Sequence, residues 1–152
     1  MHKKKHLDDM LRDVDFCDYE TSKALKELGY REKTFRYYIF EDDMPIPNSS
    51  QFRGAWAEDC MQSWNLNGMD VYSNWVDCPT IYDAQRWFRK EKGLVIYPTI
   101  DQFEDERGDA TWSCCMCVPC AMIKTFGKGL TYEEALKLGL REAVKFTIEC
   151  CL

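Results

Sequence analysis

Residues 78–100 read CPTIYDAQRWFRKEKGLVIYPTI, and this stretch decides what kind of fold the chain adopts. Thr80 is placed to cap a helix, and Asp83 follows three residues on, where an acidic side chain can bond back to the cap. Ile81, Ala84 and Phe88 keep helical spacing, with Gln85 and Trp87 flanking that stripe. Tyr82, Asp83, Arg86, Arg89 and Lys90 fall on the outer face. Basic residues crowd the last turn, where they complement the helix dipole. Gly93 supplies a left-handed residue that stops the helix, and Leu94 is placed for the apolar contact after it. Leu94 to Tyr97 is apolar and β-branched and reads as a strand, which Pro98 either ends or marks as an edge.

The same punctuation recurs on both sides. Thr131-Tyr132-Glu133-Glu134-Ala135 repeats the pattern of Thr80-Ile81-Tyr82-Asp83-Ala84 and opens a final helix. Its inward positions are Ala135, Leu136, Leu140, Ala143, Val144 and Ile148. Near the start, Asp18 caps a helix with apolar Ala24, Leu25 and Leu28, closed by Gly29 and Tyr30. Between these helices, Thr34–Phe40, Met69–Val76, Ala110–Val118 and Ala121–Phe126 read as strands. Glu41–Ser50 and Asp101–Asp109 read as loops, and Gly127-Lys128-Gly129 as a turn. Residues 51–68 have mixed spacing. The fold class is therefore α+β: a mainly antiparallel sheet of four to five strands with about three helices packed on it. The central strand–helix–strand is also compatible with a parallel crossover. Residues 1–14 read as a charged arm and 15–152 as one domain.

With 152 residues, 45% hydrophobic and 14% aromatic, the chain can build a real core. Its formal charge of −6, from 20 basic and 26 acidic residues, argues against broad nucleic-acid or anionic-membrane binding. No segment reaches the ~20 apolar residues that span a bilayer. Leu7-Asp8-Asp9-Met10 follows the basic start where a signal peptide would be apolar, so the expectation is a cytoplasmic protein. Nine cysteines are then expected as thiols.

Histidine occurs only at 2 and 6, which removes most histidine-based catalysis and metal ligation. Cys114, Cys115, Cys117 and Cys120 combine C-x-C with C-x-x-C, so Cys115, Cys117 and Cys120 are the candidate thiolate metal ligands. Strand alternation places Cys114 on one face and Cys115 and Cys117 on the other, which equally suits small buried hydrophobes. Cys117-Val118-Pro119-Cys120 has the C-x-P-C spacing of thioredoxin-like proteins, but lacks the long helix and later proline of that fold. Gly127-Lys128-Gly129 before a helix is a candidate anion nest. The basic face Arg86, Arg89 and Lys90, with Trp87 beside it and Lys128 elsewhere, suits a small anionic ligand or an acidic protein. Asp42-Asp43 and Asp101–Glu106 match no calcium loop. Five tryptophans leave one or two for a groove or a contact between copies of the chain.

PTIYDAQRWFRKEKGLVIYP (79–98) and LTYEEALKLGLREAVKF (130–146) resemble small uncharacterised proteins of gut anaerobic bacteria and their phages or mobile elements. Those proteins pair a "PTxYEAQxWLRE" helix and strand with a terminal "TYEEAL" helix. SKALKELGY (22–30) is similar as well, whereas the cysteine-rich strand and residues 45–69 depart from the pattern. The resemblance implies a small accessory protein, with no activity, cofactor or site residue attached. The residues lead to a non-enzymatic binding protein, whose partner is a protein, a small anion or a second copy, with a thiolate metal module as the alternative.

Overall fold

A computed structural model of the chain describes residues 12–32, 34, 36–41, 44–47, 76–103, 108–118 and 123–150. They belong to two compact units, residues 1–80 and 81–152. The expected strand Met69–Val76, all but its last residue, and residues 51–68 lie outside the described residues, as do Trp56, Trp64 and Trp75.

In the first unit, a short 3-10 turn at Asp13–Asp15 is tied by the Arg12 N–H, which donates to the Asp15 carboxylate at 2.9 Å. Helix α1, Tyr19–Glu27, begins where the sequence places it: the Asp18 carboxylate accepts from the Thr21 N–H at 2.8 Å. Its end is a full glycine closure. Gly29 sits at φ 101°, the Gly29 N–H donates to Lys26 at 3.2 Å, and the Tyr30 N–H reaches back to Leu25 at 2.8 Å. Leu25 and Tyr30 are both fully buried, so the closure also seals the core.

Strands β1 (Arg36–Glu41), β2 (Met44–Pro47) and β3 (Val76–Cys78) form an antiparallel sheet in the order β2-β1-β3. The sequence predicts a loop over 41–50, and β2 falls inside it. Pro45 and Pro47 conceal the strand, since proline cannot donate to a ladder. Among the described residues β2 pairs with β1 alone, and a strand paired on one side can turn the donorless proline positions to its other rim.

The centre of this unit is the backbone of Cys17. Its N–H donates to the Pro79 carbonyl at 2.9 Å. Its carbonyl accepts from the Tyr38 hydroxyl at 2.9 Å and from the Cys78 thiol at 3.2 Å. The Arg36 guanidinium lies 4.0 Å over the Phe16 ring, a cation–π contact in a buried setting.

In the second unit, helix α2 covers Ile81–Trp87 and continues as one π-helical turn, Phe88–Lys92. Ile81, Ala84 and Phe88 are fully buried, as the spacing predicts. Gly93 stops the helix at φ 67°, and Leu94 behind it is buried. The Gly93 and Leu94 N–H groups both turn to the Phe88 carbonyl, so the wide turn replaces the closure seen after α1.

Strands β4 (Val95–Gln102), β5 (Thr111–Cys117) and β6 (Ile123–Leu130) make a second antiparallel sheet in the order β4-β5-β6, and α3 spans Tyr132–Glu149. The class is α+β, but the described strands form two three-stranded sheets where the sequence predicts one of four to five. Among the described residues β3 pairs with β1 and β4 with β5, both antiparallel, and no parallel pair occurs. β4 does not end at Pro98. It runs on to Gln102, with proline accommodated on an edge strand. Gly127-Lys128-Gly129 is not a terminal turn but a bulge inside β6. Phe126 pairs with Cys114 and Leu130 with Trp112, so three residues oppose Ser113. Both glycines take positive φ, 75° and 69°, as such a bulge requires.

Thr131 caps α3 through a bond from the Glu134 N–H at 3.2 Å. Ala135, Leu136, Leu140, Ala143 and Val144 face inward, but Ile148 is 58% exposed. Thr147 takes the inward position in the last turns, its hydroxyl satisfied by the Ala143 carbonyl at 2.7 Å. Gly139 lets the helix approach β4 and β5: a Cβ there would meet the Cys114 sulfur and lie 2.8 Å from Cγ2 of Ile96. No helix among the described residues is long and apolar enough to cross a membrane.

Gly139→Ala is expected to destabilise the fold by about 1–3 kcal/mol through overpacking, although alanine is the better helix former. Asp18→Ala should remove about 1 kcal/mol by exposing the first amides of α1. Denaturant midpoints measured beside wild type check both values. A neutral Gly139→Ala would show that the helix can lift off the sheet without cost.

Candidate functional site

Helix α3 lies on one face of the second sheet, and α2 packs against both α3 and β4 on that side. Ile96, Cys114 and Met116 point to the helices and are essentially fully buried. Directly paired residues of antiparallel strands share a face. The opposite face therefore carries the rows Val95–Cys117–Ile123 and Tyr97–Cys115–Thr125, followed by the pair Thr99–Ser113.

That face is a lattice of hydroxyls and thiols with apolar flanks. The Cys115 sulfur lies 3.7 Å from the Thr99 hydroxyl and 3.5 Å from the Thr125 hydroxyl. The Cys117 sulfur lies 3.6 Å from the Tyr97 hydroxyl. Contact with Cys117 is the main cause that raises the Tyr97 phenol above its ordinary value. At one end of the face Val95 is 39% and Ile123 67% exposed, while Cys115 and Ser113 at its centre are buried. Among the described residues, these rows hold hydroxyls and thiols as weak donors and acceptors and contain no carboxylate, amine or imidazole.

Of the candidate metal ligands, Cys115 and Cys117 do share this face, two residues apart on one strand. Cys120 lies outside the described residues. No group of three or more metal-ligating side chains occurs among the described residues. None of Cys17, Cys78, Cys114, Cys115, Cys117 and Cys150 is in a disulfide.

The basic candidates are dispersed. Arg86 is exposed and paired with Asp83 at 3.0 Å, and Lys90 sits 3.8 Å from Glu91. Arg89 is exposed on the π turn. Trp87 is turned inward, 5% exposed and edge-on to Phe88 with ring centroids 5.2 Å apart, while Lys92 reaches over its ring at 5.7 Å. Lys128 is exposed at the centre of the β6 bulge. The bulge does hold an anion, but an internal one: the Gly129 N–H donates to the Asp101 carboxylate at 3.0 Å. Asp101 itself occupies an irregularity in β4, between Ile100 and Gln102. The candidate nest thus clasps two strands of the same sheet.

Sequence reasoning finds the two thiols but misses Tyr97, Thr99 and Thr125. The alternation in Tyr97-Pro98-Thr99 and Ser113-Cys114-Cys115-Met116-Cys117 is a signal for a polar outer face. Only strand register shows that these residues stand beside one another.

Matched against protein-family models, curated proteins and solved structures, the chain finds no counterpart in any of the three.

Two thiols are held firmly neutral. Burial pushes Cys78 up to about 12, against a hydrogen bond with Tyr38 that pulls it down. Burial, then repulsion from Cys115, pushes Cys114 up to about 12. Both folded values lie above the ordinary 9.0, so the folded state retains protons that the unfolded chain releases. Their contribution is complete below pH 9.0 and lost as pH rises toward 12. The expected slope is about 1.4 kcal/mol per pH unit for each thiol. Denaturation series from neutral to alkaline pH should show a steeper fall in wild type than in a variant carrying Cys78→Ala and Cys114→Ala. Equal slopes would mean that these thiols ionise freely in the fold.

Proposed function

We propose that this chain is a non-enzymatic binding protein and that the face of the second sheet opposite α2 and α3 is the surface it uses. The observation that carries the reading is the make-up of that face. Exposed Val95 and Ile123 flank the Tyr97, Thr99, Cys115, Cys117 and Thr125 cluster, with no acid–base pair among them. Apolar flanks around partly satisfied hydroxyls suit a macromolecular contact, in which aromatic and apolar anchors supply affinity and hydroxyls supply register. A protein partner fits better than a small anion, because among the described residues no cation lies in the rows of this face. The dispersed, internally paired state of Arg86 and Lys90 points the same way. The resemblance to small uncharacterised proteins of gut anaerobic bacteria and their phages or mobile elements implies an accessory role, a setting in which such a binder would act.

The alternative is a thiolate metal module built on Cys115 and Cys117 with Cys120. The shared face of Cys115 and Cys117, and the C-x-C-x-x-C spacing that adds Cys120 in sequence, favour it. Protein purified without chelator separates the two readings: stoichiometric zinc or copper, lost in a Cys115→Ser, Cys117→Ser variant, supports the metal module.

For the binding reading, a photo-crosslinking residue is placed at Ile123, on the face, and at Arg141, on the exposed side of α3. A discrete crosslinked protein is expected from position 123 and not from 141. Val95→Glu should reduce its yield at least tenfold with the fold intact. The same products from both positions, or none from either, would remove the support for this surface.

A further inference from the structure

The two edges of the second sheet are not alike. On β4, the Gln85 side-chain N–H donates to the Ile96 carbonyl at 2.6 Å, and Pro98 has no N–H to offer. Both facts assign the same phase to the ladder. Ile96 and Pro98 turn their backbone groups to the outer rim, so Val95 and Tyr97 bond to Cys117 and Cys115. On β5, Cys114 and Met116 must then bond to Phe126 and Lys124. The N–H and C=O groups of Ile123 and Thr125 are left pointing away from β5, along the outer edge of β6.

That edge is open. Ile123, Lys124 and Thr125 are all exposed, and no proline interrupts the strand. The β4 edge, by contrast, is closed by a side chain and a proline. An unprotected rim of this kind is a template for another strand.

We infer that β6 pairs antiparallel with β6 of a second copy of this chain, with Thr125 on the two-fold axis. The register follows from face and charge. A two-fold perpendicular to the sheet keeps faces matched only when residues of equal parity oppose one another. Centring on Lys124 would set like charges opposite each other and would need backbone groups already committed to Met116. Centring on Thr125 joins the two outward-facing Thr125 residues. It sets Ile123 opposite Gly127 of the second copy, where no side chain obstructs it, and Lys124 opposite Phe126. Lys124 already lies 5.5 Å over the Phe146 ring, so its charge is drawn to the helix side and meets a second ring there. The bulge from Gly127 to Gly129 ends the pairing, so the contact is short and reversible. This inference uses the strand edge rather than the sheet face and does not depend on the reading of that face.

Sedimentation of the full chain at physiological salt tests it, because the −6 charge of each copy opposes association when salt is low. Wild type is expected to double in mass as concentration rises. Thr125→Pro should remain monomeric with unchanged circular dichroism, since the N–H it removes takes no part in the β5 ladder. In wild type, the Ile123 amide should exchange slowly in concentrated samples and at least tenfold faster on dilution. A wild type that stays monomeric at every concentration, including one that takes up an extended peptide instead, overturns the inference. So does a Thr125→Pro variant that still dimerises, or an Ile123 amide whose exchange ignores concentration.

Discussion

The second unit depends on how closely α3 approaches its sheet. At Gly139 the helix backbone rests on Cys114 and Ile96, with no room for a methyl group. That contact determines which face of the sheet is interior. Cys114, Met116 and Ile96 are drawn under the helix, and Cys115, Cys117, Tyr97 and Thr99 are turned to the other side. Alternation along a strand is strict, so one close contact fixes the facing of every residue in register with it. A cysteine suits the interior position because it is small, apolar and tolerant of a near neighbour.

Around that contact, the chain satisfies its polar groups by short internal connections. Asp101 reaches the Gly129 amide across the sheet, Gln85 reaches the Ile96 carbonyl, and the Cys17 carbonyl takes both Tyr38 and Cys78. Each connection answers a group left over by regular structure: a bulge, a sheet edge and a loop between elements. The basic outer face of α2 follows the same economy. Arg86 neutralises Asp83 beside it, and Lys92 lies over Trp87. A charged helical face is therefore a weaker indicator of binding than a sheet face whose polar groups satisfy one another only by long thiol contacts.

The π turn after α2 shows how a small local change alters a repeated design. α1 ends at Gly29 with the usual pair of closing bonds. α2 ends at Gly93 with one residue more in its last turn, and Phe88 receives both bonds. The inward placement of both Trp87 and Phe88 accompanies this widening. Helical spacing alone places Trp87 at the flank of the buried stripe, and the structure seats it inside.

Caps, glycine stops and buried stripes were readable from residue order because they are governed by contacts within four or five residues. Asp18, Thr131, Gly29 and Gly93 each do what their neighbours dictate. The thiol strand, with Cys114 opposed to Cys115 and Cys117, was readable for the same reason, since facing alternates along the chain itself. What the residues could not reveal was partnership between strands. β2 inside an apparent loop, the split into two sheets, the bulge that absorbs Gly127 to Gly129, and the meeting of Thr99 and Thr125 over Cys115 all depend on which distant strand lies alongside. Ladder bonds are alike at every residue and carry no side-chain signature, so register is decided only when the helices press the sheet into one packed arrangement.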